Sequence, residues 1–294
     1  MQYQGLFVGL TTIDLLYLTP RYPSRNQKVV ASESTIAPGG PVTNAAIAFT
    51  RLGDRAKLLS VVGKHPITAL IRADLERYGV DLHDLDGDRT ESPPVSSIVV
   101  TEATGDRAVI SINATKTTIA SDRVSEADLD KINLLAIDGH QMALSAKLAA
   151  IANPKNIPVA IDGGSWKPGF ENVLPHVNYA ICSANFFPPD CSTHEQVFEY
   201  LSSFKIPHIA ITHGGKAIQY LSEGKRGLIP VPTVDAINTL GAGDIFHGAF
   251  YFFILREQFI EALTSAAQIA AQACRFFGED RIDRAIAAYR QWGT

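Results

Sequence analysis

The sequence predicts an α/β protein, with a mainly parallel sheet covered by helices on both faces and a small β element set apart from it. Three observations carry that prediction. Short apolar runs alternate with longer helical ones along most of the chain, two segments break this rhythm with polar alternation, and glycine-rich turns stand where extended runs give way to helices. With 294 residues, 46% hydrophobic and 19% charged, the chain is long enough for one large α/β core or two small domains.

In chain order, the extended runs are residues 6–10, 57–62, 134–137, 159–162, 179–182 and 209–212. Between them lie helical runs such as 66–78, 142–152 and 194–204. Such alternation implies parallel strands joined by right-handed crossovers, with ligands gathering at the carboxyl ends of the strands. Residues 28–36 and 96–113 stand outside the series; they read as β-strands, the second folded back at Thr104-Gly105-Asp106. Residues 227–234 read as a strand and turn, and 245–257 as an apolar-rich helix.

The junction between those last two, Asn238-Thr239-Leu240-Gly241-Ala242-Gly243-Asp244, carries the strongest chemical signal. It sits at or just before a helix N-terminus, where backbone N–H groups lack partners and the helix dipole adds positive charge. Gly241 and Gly243 let an oxygen anion approach those amides, and Asp244 stands beside it to take a proton from an attacking hydroxyl. A lone GxGD also suits a plain tight turn with an acid in the first helical turn. Here a second glycine pair, Gly39-Gly40, precedes another helix in the run Ala37-Pro38-Gly39-Gly40-Pro41-Val42-Thr43-Asn44, which continues to Arg51-Leu52-Gly53.

These two motifs, in this order near opposite ends of the chain, resemble those of the ribokinase-like (PfkB) carbohydrate kinases: an early Gly-Gly, Asn and Arg-Leu-Gly, and a late Asp-Thr-x-Gly-Ala-Gly-Asp. The resemblance implies a three-layer α/β/α core over residues 1–294, with a β-sheet lid inserted as roughly 16–37 plus 95–113. It implies a sugar kinase using ATP and Mg2+, with Asp244 as general base and the Gly241, Ala242 and Gly243 amides as the anion site. Asp14, placed at the end of the first strand, would hold sugar hydroxyls together with Gly39, Gly40 and Asn44, and each of these also suits a turn or helix cap. Lys28 and Asn113 are candidates for the far end of the sugar, as are Arg25 and His140 for an anionic substituent. Thr212, Gly214 and Gly215, in Ala210-Ile211-Thr212-His213-Gly214-Gly215-Lys216, match the strand-to-glycine turn along the nucleotide phosphates, and Asn238 falls at the nucleotide end of the late motif. The helices over 259–277 would wall the adenine pocket. The runs Val8–Asp14, Asp138–His140 and Ile161–Gly164 look most like the ketohexokinase and sulfofructose-kinase members. A lid sheet leaves one apolar face to be covered by substrate, by the core or by another lid, the last of which would make a homodimer through the lid.

Two departures from the pattern bear on metals. Asn238 replaces the family's usual Asp, exchanging a charged ligand of a monovalent cation for a neutral one, so potassium dependence is expected to be weak. The Asn-x-x-Glu that organises magnesium-bound water falls where this chain has Ser183-Ala184-Asn185-Phe186-Phe187-Pro188-Pro189, with no glutamate, which leaves Asn185 as a weak candidate for the magnesium water shell.

A net charge of −4 and scattered basic residues argue against nucleic acid as a partner. Three cysteines without a C-x-x-C pair suit a reduced cytoplasm, and no apolar run is long enough to span a membrane. The alternative readings are a nucleoside kinase of the same fold and a noncatalytic sugar or nucleotide sensor. A dinucleotide-dependent dehydrogenase lacks its G-x-G-x-x-G after the first strand.

Overall fold

A computed structural model describes residues 1–112, 117–278 and 280–292. The first strand shows why the apolar runs of this chain are so uniformly hydrophobic. In β1 (Gln4–Val8), Phe7 enters one apolar cluster while Leu6 and Val8 enter another, so both faces are buried. After it come β2 (Thr12–Thr19), β3 (Glu33–Gly39), α1 (Pro41–Leu52), β4 (Arg55–Ser60), α2 (Thr68–Arg77), β5 (Val80–Asp84), β6 (Val95–Thr101) and β7 (Arg107–Ile110). The middle of the chain alternates β8 (Leu134–Ile137), α3 (Met142–Ala152), β9 (Val159–Gly163), α4 (Phe170–Val173), β10 (Tyr179–Ser183), α5 (His194–Ser203) and β11 (His208–His213). A hairpin of β12 (Lys216–Ser222) and β13 (Lys225–Ile229) leads to α6 (Ala242–Ile254), α7 (Phe259–Ala273) and α8 (Arg281–Trp292).

Nine strands form one sheet in the order β13-β12-β11-β10-β9-β8-β1-β4-β5. Pairing is parallel from β11 to β5 and antiparallel for the β12–β13 hairpin at one edge. Helices α1, α2, α6, α7 and α8 cover the face that holds Phe7, Phe49 and Tyr251, and α3, α4 and α5 cover the other. The chain steps from β1 outward to β4 and β5, then returns to build the rest of the sheet from β8. Strand order therefore reverses between β1 and β8, and a crevice opens at their carboxyl ends.

A second sheet, β3-β2-β6-β7, forms the lid. Its inner face buries Leu18, Ile98 and Val100 against Leu16, Leu240 and Phe277, whereas Tyr17, Ile36 and Ile110 on the other face remain exposed. No helix among the described residues is long and apolar enough to cross a membrane.

Three elements differ from the sequence reading. The first strand ends at Val8, so Asp14 lies not at its end but on the lid strand β2. That strand is apolar on both of its alternating sets, which hides it from a search for polar alternation. The lid strand expected over 28–36 starts only at Glu33, because the residues before it form an exposed loop with Asn26 left-handed at φ 56°. The strand expected over 227–234 is the second arm of a hairpin whose turn residues, Glu223 and Gly224, both have positive φ, at 49° and 78°. Glutamate in a turn of that hand gives no sequence signal, since asparagine or aspartate is the usual partner of glycine there.

Candidate active site

The cavity at the switch between β1 and β8 measures about 350 Å3 and lies between the carboxyl ends of the core strands and the lid. Four carboxylates, Asp14, Asp138, Asp162 and Asp244, line it together with Asn44 and Arg281.

Asp244 stands in the first turn of α6, whose N-cap Gly241 is left-handed at φ 61°. A side chain at Gly241 would have to adopt a left-handed backbone that favours glycine and would also push the Arg281 guanidinium aside, its Nη2 lying within 2.8 Å of the Cβ. Of the amides that open this helix, that of Ala242 donates to Thr239 O at 3.3 Å, and the space beside the Cα of Gly243 is empty. Farther along, Gly248 lets α6 press against the Ala45 and Ala48 backbone and methyl of α1. This close helix packing brings the two motifs together: Asn44 Nδ2 donates to Asp244 Oδ2 at 2.8 Å. Burial raises the Asp244 carboxyl to about 6, and the charge of Asp162 adds to the rise. The Asn44 hydrogen bond, His247 and Arg281 oppose it. A carboxylate tuned toward neutrality inside a cavity is suited to taking up and releasing a proton.

Asp14 on β2 accepts from Thr12 Oγ1 at 2.8 Å and packs against Gly39, whose missing side chain leaves it room. Burial pushes its carboxyl up, against the pull of Thr12, Ser96 and Arg281. Asp138 is a structural anchor as well as a lining residue. Its Oδ2 accepts from Leu10 N–H at 3.0 Å and Val42 N–H at 3.4 Å, and its Oδ1 accepts from His140 N–H at 2.9 Å and faces His140 Nδ1 at 3.1 Å. One buried carboxylate thus ties the ends of β1 and β8 to the start of α1. Burial alone would raise it, yet the His140 ring and the Leu10 and His140 N–H donors hold it below the usual carboxylate range.

The expected site residues divide in two. Asp14, Gly40, Asn44, Asn238, Gly241 and Asp244 all line the cavity, with Gly39 at the end of β3 and Ala242 and Gly243 at the start of α6 beside it. Asn238 is buried; its Oδ1 accepts from Leu240 N–H at 3.0 Å, and its Nδ2 has no protein partner among the described residues. Lys28 is exposed in the loop before β3 and is absent from the cavity lining. Thr212 is the penultimate residue of β11, with its Oγ1 donating to Cys182 O at 3.3 Å, and Gly214 and Gly215 form the following turn, also outside the cavity. Asn185 is exposed, with its N–H donating to Ser183 Oγ at 3.1 Å. Asn113 lies outside the described residues.

Sequence reasoning did not single out Asp138 and Asp162 as site residues, although both close apolar strands at their carboxyl ends, which is where an α/β sheet presents side chains to ligands. Arg281 gave no signal: it belongs to no motif, and only the tertiary fold carries its guanidinium to Leu240 O, at 2.5 Å.

Against known proteins, the family profile described as pfkB family carbohydrate kinase matches residues 5–280. The ribokinase of Bacillus subtilis (strain 168) is 23% identical over 277 residues, covering 92% of either chain. Mus musculus ketohexokinase is 21% identical over 298 residues, covering 95% of this chain and 98% of its own. Among solved structures, Arabidopsis thaliana ribokinase complexed with ribose and ATP superimposes with a TM-score of 0.76 at 15% identity, over 99% of each chain.

Proposed function

The chain belongs to the pfkB family of carbohydrate kinases, and from that premise we propose that it transfers the γ-phosphoryl group of Mg-ATP to a hydroxyl of a small sugar held in the cavity. The observation that carries this reading is the Asn44–Asp244 hydrogen bond at the N-terminus of α6, which places a carboxylate raised to about 6 beside the amides that open the helix.

In the proposed reaction Asp244 accepts the proton of the acceptor hydroxyl. The oxygen bonds to the γ-phosphorus, the bond from that phosphorus to the bridging oxygen breaks, and ADP leaves. The amides of Gly241 and Gly243 face the transferring group, joined by that of Ala242 once it releases Thr239 O, and the orphaned Nδ2 of Asn238 offers one further donor to it. Asp14, Asn44, Gly39 and Gly40 orient the sugar, the carboxylate and carboxamide supplying the directed contacts a polyol requires. Thr212, Gly214 and Gly215 border the nucleotide beyond the cavity.

Among the described residues no group of three or more His, Cys, Asp or Glu side chains is arranged to hold a metal. Magnesium is accordingly assigned to the nucleotide, whose β- and γ-phosphate charge it neutralises, with Asn185 as a weak outer partner. The lid, taken as roughly 16–37 plus 95–113 inserted in one kinase domain, would shut water out of the cavity. Its exposed Tyr17, Ile36 and Ile110, on one face of the lid, favour a homodimer formed through the lid, and the free cysteines suit the cytoplasm.

A ketohexose-like or sulfofructose-like acceptor is the finer reading, supported by the Val8–Asp14, Asp138–His140 and Ile161–Gly164 pattern. The test is ADP release from Mg-ATP against pentoses, hexoses, sugar phosphates, sugar acids and nucleosides, with Asp244→Asn as background. Sugar-dependent turnover lost in the variant is expected. Turnover only with nucleosides, or sugar binding without any turnover, overturns the assignment.

A further inference from the structure

Arg281, the first residue of α8, lines the cavity beside the turn that opens α6. Its Nη1 donates to Leu240 O at 2.5 Å, and no backbone N–H of the described residues reaches that oxygen. The rest of the guanidinium has no hydrogen-bond or ion-pair partner among the described residues. Nη2 borders the space beside Gly241. A side-chain atom built on that glycine would lie 2.8 Å from Nη2, 3.5 Å from Asp244 Oδ2 and 3.7 Å from Asn44 Nδ2. One atom-sized spot is thus shared by a guanidinium, the carboxylate read as the base and the carboxamide that steadies it. From the same lining Asn238, 1% exposed, adds Nδ2, a buried donor without a partner among the described residues.

This donor set calls for an anion. A guanidinium keeps its proton at any working pH, and one held by a single neutral acceptor has its charge uncompensated at close range. Burial works against that charge, which Asp244 and Asp14 support only from a distance. Because Leu240 O ties the group to the turn, its free N–H groups stay beside whatever the turn holds.

We infer that Arg281 is a catalytic residue of this cavity, whose free N–H groups take an oxygen of the phosphoryl group in transfer alongside the amides that open α6. The inference rests on the reading of the cavity as a site of phosphoryl transfer, and it adds a charged side chain to a cradle of neutral dipoles. As the acceptor oxygen bonds to phosphorus its proton passes to Asp244, and the electron pair of the bond to the bridging oxygen leaves with ADP. Arg281 keeps its own protons throughout. Its part is electrostatic: negative charge on the equatorial oxygens of the transition state meets a guanidinium already fixed in place, with no reorganisation left to make. The planar fork also accounts for arginine here rather than lysine, since one arm holds Leu240 O while the other stays free for the oxygen.

The experiment compares the full chain with Arg281→Ala in binding and in turnover. Calorimetry reads the affinity for Mg-ADP with and without aluminium fluoride, a mimic of the phosphoryl group in transfer. The native chain is expected to bind Mg-ADP at least about tenfold more tightly with the fluoride, and Arg281→Ala to lose that gain while its affinity for Mg-ADP alone stays within about threefold. A gain retained in Arg281→Ala overturns the contact. On an acceptor that gives turnover, Arg281→Ala is expected to lower kcat at least ~100-fold, the loss for one donor to a developing charge, while both KM values move less than about threefold. Guanidinium ion at a non-denaturing concentration is expected to recover kcat in that variant at least about tenfold, a rescue that damaged packing would not allow. Unchanged turnover in Arg281→Ala, or a loss that guanidinium leaves untouched, overturns the catalytic role. Should Arg281→Ala not fold, Arg281→Lys keeps the charge without the fork; kcat about tenfold lower is expected, and a native kcat overturns the assignment. A native chain with neither turnover nor a fluoride-dependent gain sinks the phosphoryl-transfer reading itself, and this inference with it.

Discussion

Asn44 Nδ2 and Asp244 Oδ2 meet at 2.8 Å although 200 positions separate them in the chain, which makes this hydrogen bond the physical link between the two glycine motifs. It favours the ionised carboxylate and so restrains a value that burial raises to about 6. A base must be ionised to act, so kcat is expected to fall as pH drops through about 6. Asn44→Leu removes the restraint and should move that acid limb to higher pH, read from kcat measured between pH 5 and 9. A limb that stays in place would show that Asn44 does not set the proton affinity of Asp244.

The same burial has a stability cost with a definite sign. The folded value of Asp244, about 6, lies above the ordinary carboxyl value of 3.8, so the folded state resists ionisation. Its contribution is most favourable below 3.8 and is lost as pH rises through about 6. Asp244→Asn removes the buried charge, and Tm at pH 7.5 should rise while Tm at pH 4 changes little. Turnover should drop at least ~100-fold in the same variant. A variant that is both inactive and less stable at pH 7.5 would point to a structural role instead.

Asp138 behaves in the opposite sense. Its carboxyl is held below the usual range, so it stabilises the fold above the unfolded value, and that stability is lost as pH falls through the folded value. Asp138→Ala would orphan the N–H groups of Leu10 and Val42 and free the His140 turn. A loss of about 3–5 kcal/mol is expected at pH 7, the range for breaking a buried charged network, and urea unfolding measures it. A loss below about 1 kcal/mol would mean that water replaces the carboxylate at these donors.

How far the sequence reveals this molecule depends on the range of the forces involved. The parallel core is legible because strands buried on both faces must be apolar throughout, as Leu6, Phe7 and Val8 are. Asp244 and Asn44 are legible because glycine at a helix start leaves a local trace. Strand β2 is obscured by having apolar residues on both of its faces, and the β12–β13 hairpin by a glutamate in a left-handed turn. Arg281 is invisible for a different reason. Its chemistry comes from a neighbour, Leu240 O, which only long-range packing supplies.

The Gly39–Asp14 contact offers a test confined to acceptor binding. A Cβ on Gly39 would collide with the Asp14 carboxylate across the β2–β3 pair. Gly39→Ala must therefore displace Asp14 from the cavity while leaving Asp244 and the α6 amides in place. Acceptor KM should rise ~10-fold or more, since misplacing a positioning group by about 1 Å is enough for losses of that order or greater, while KM for ATP stays near its native value. An equal rise in both constants would place Asp14 outside the sugar subsite.

Potassium dependence turns on Asn238. Its Oδ1, the atom that would ligate a cation, already accepts Leu240 N–H at 3.0 Å, and reversing the amide would set its NH2 against that N–H. The side chain therefore presents its donor Nδ2 to the surroundings, a group that repels a cation and suits an anionic oxygen. Turnover in potassium is expected to match turnover in sodium, whereas Asn238→Asp, which restores a charged acceptor, should introduce a preference for potassium. A several-fold advantage of potassium in the native chain would mean that backbone carbonyls alone build the cation site and that Asn238 has no part in excluding it.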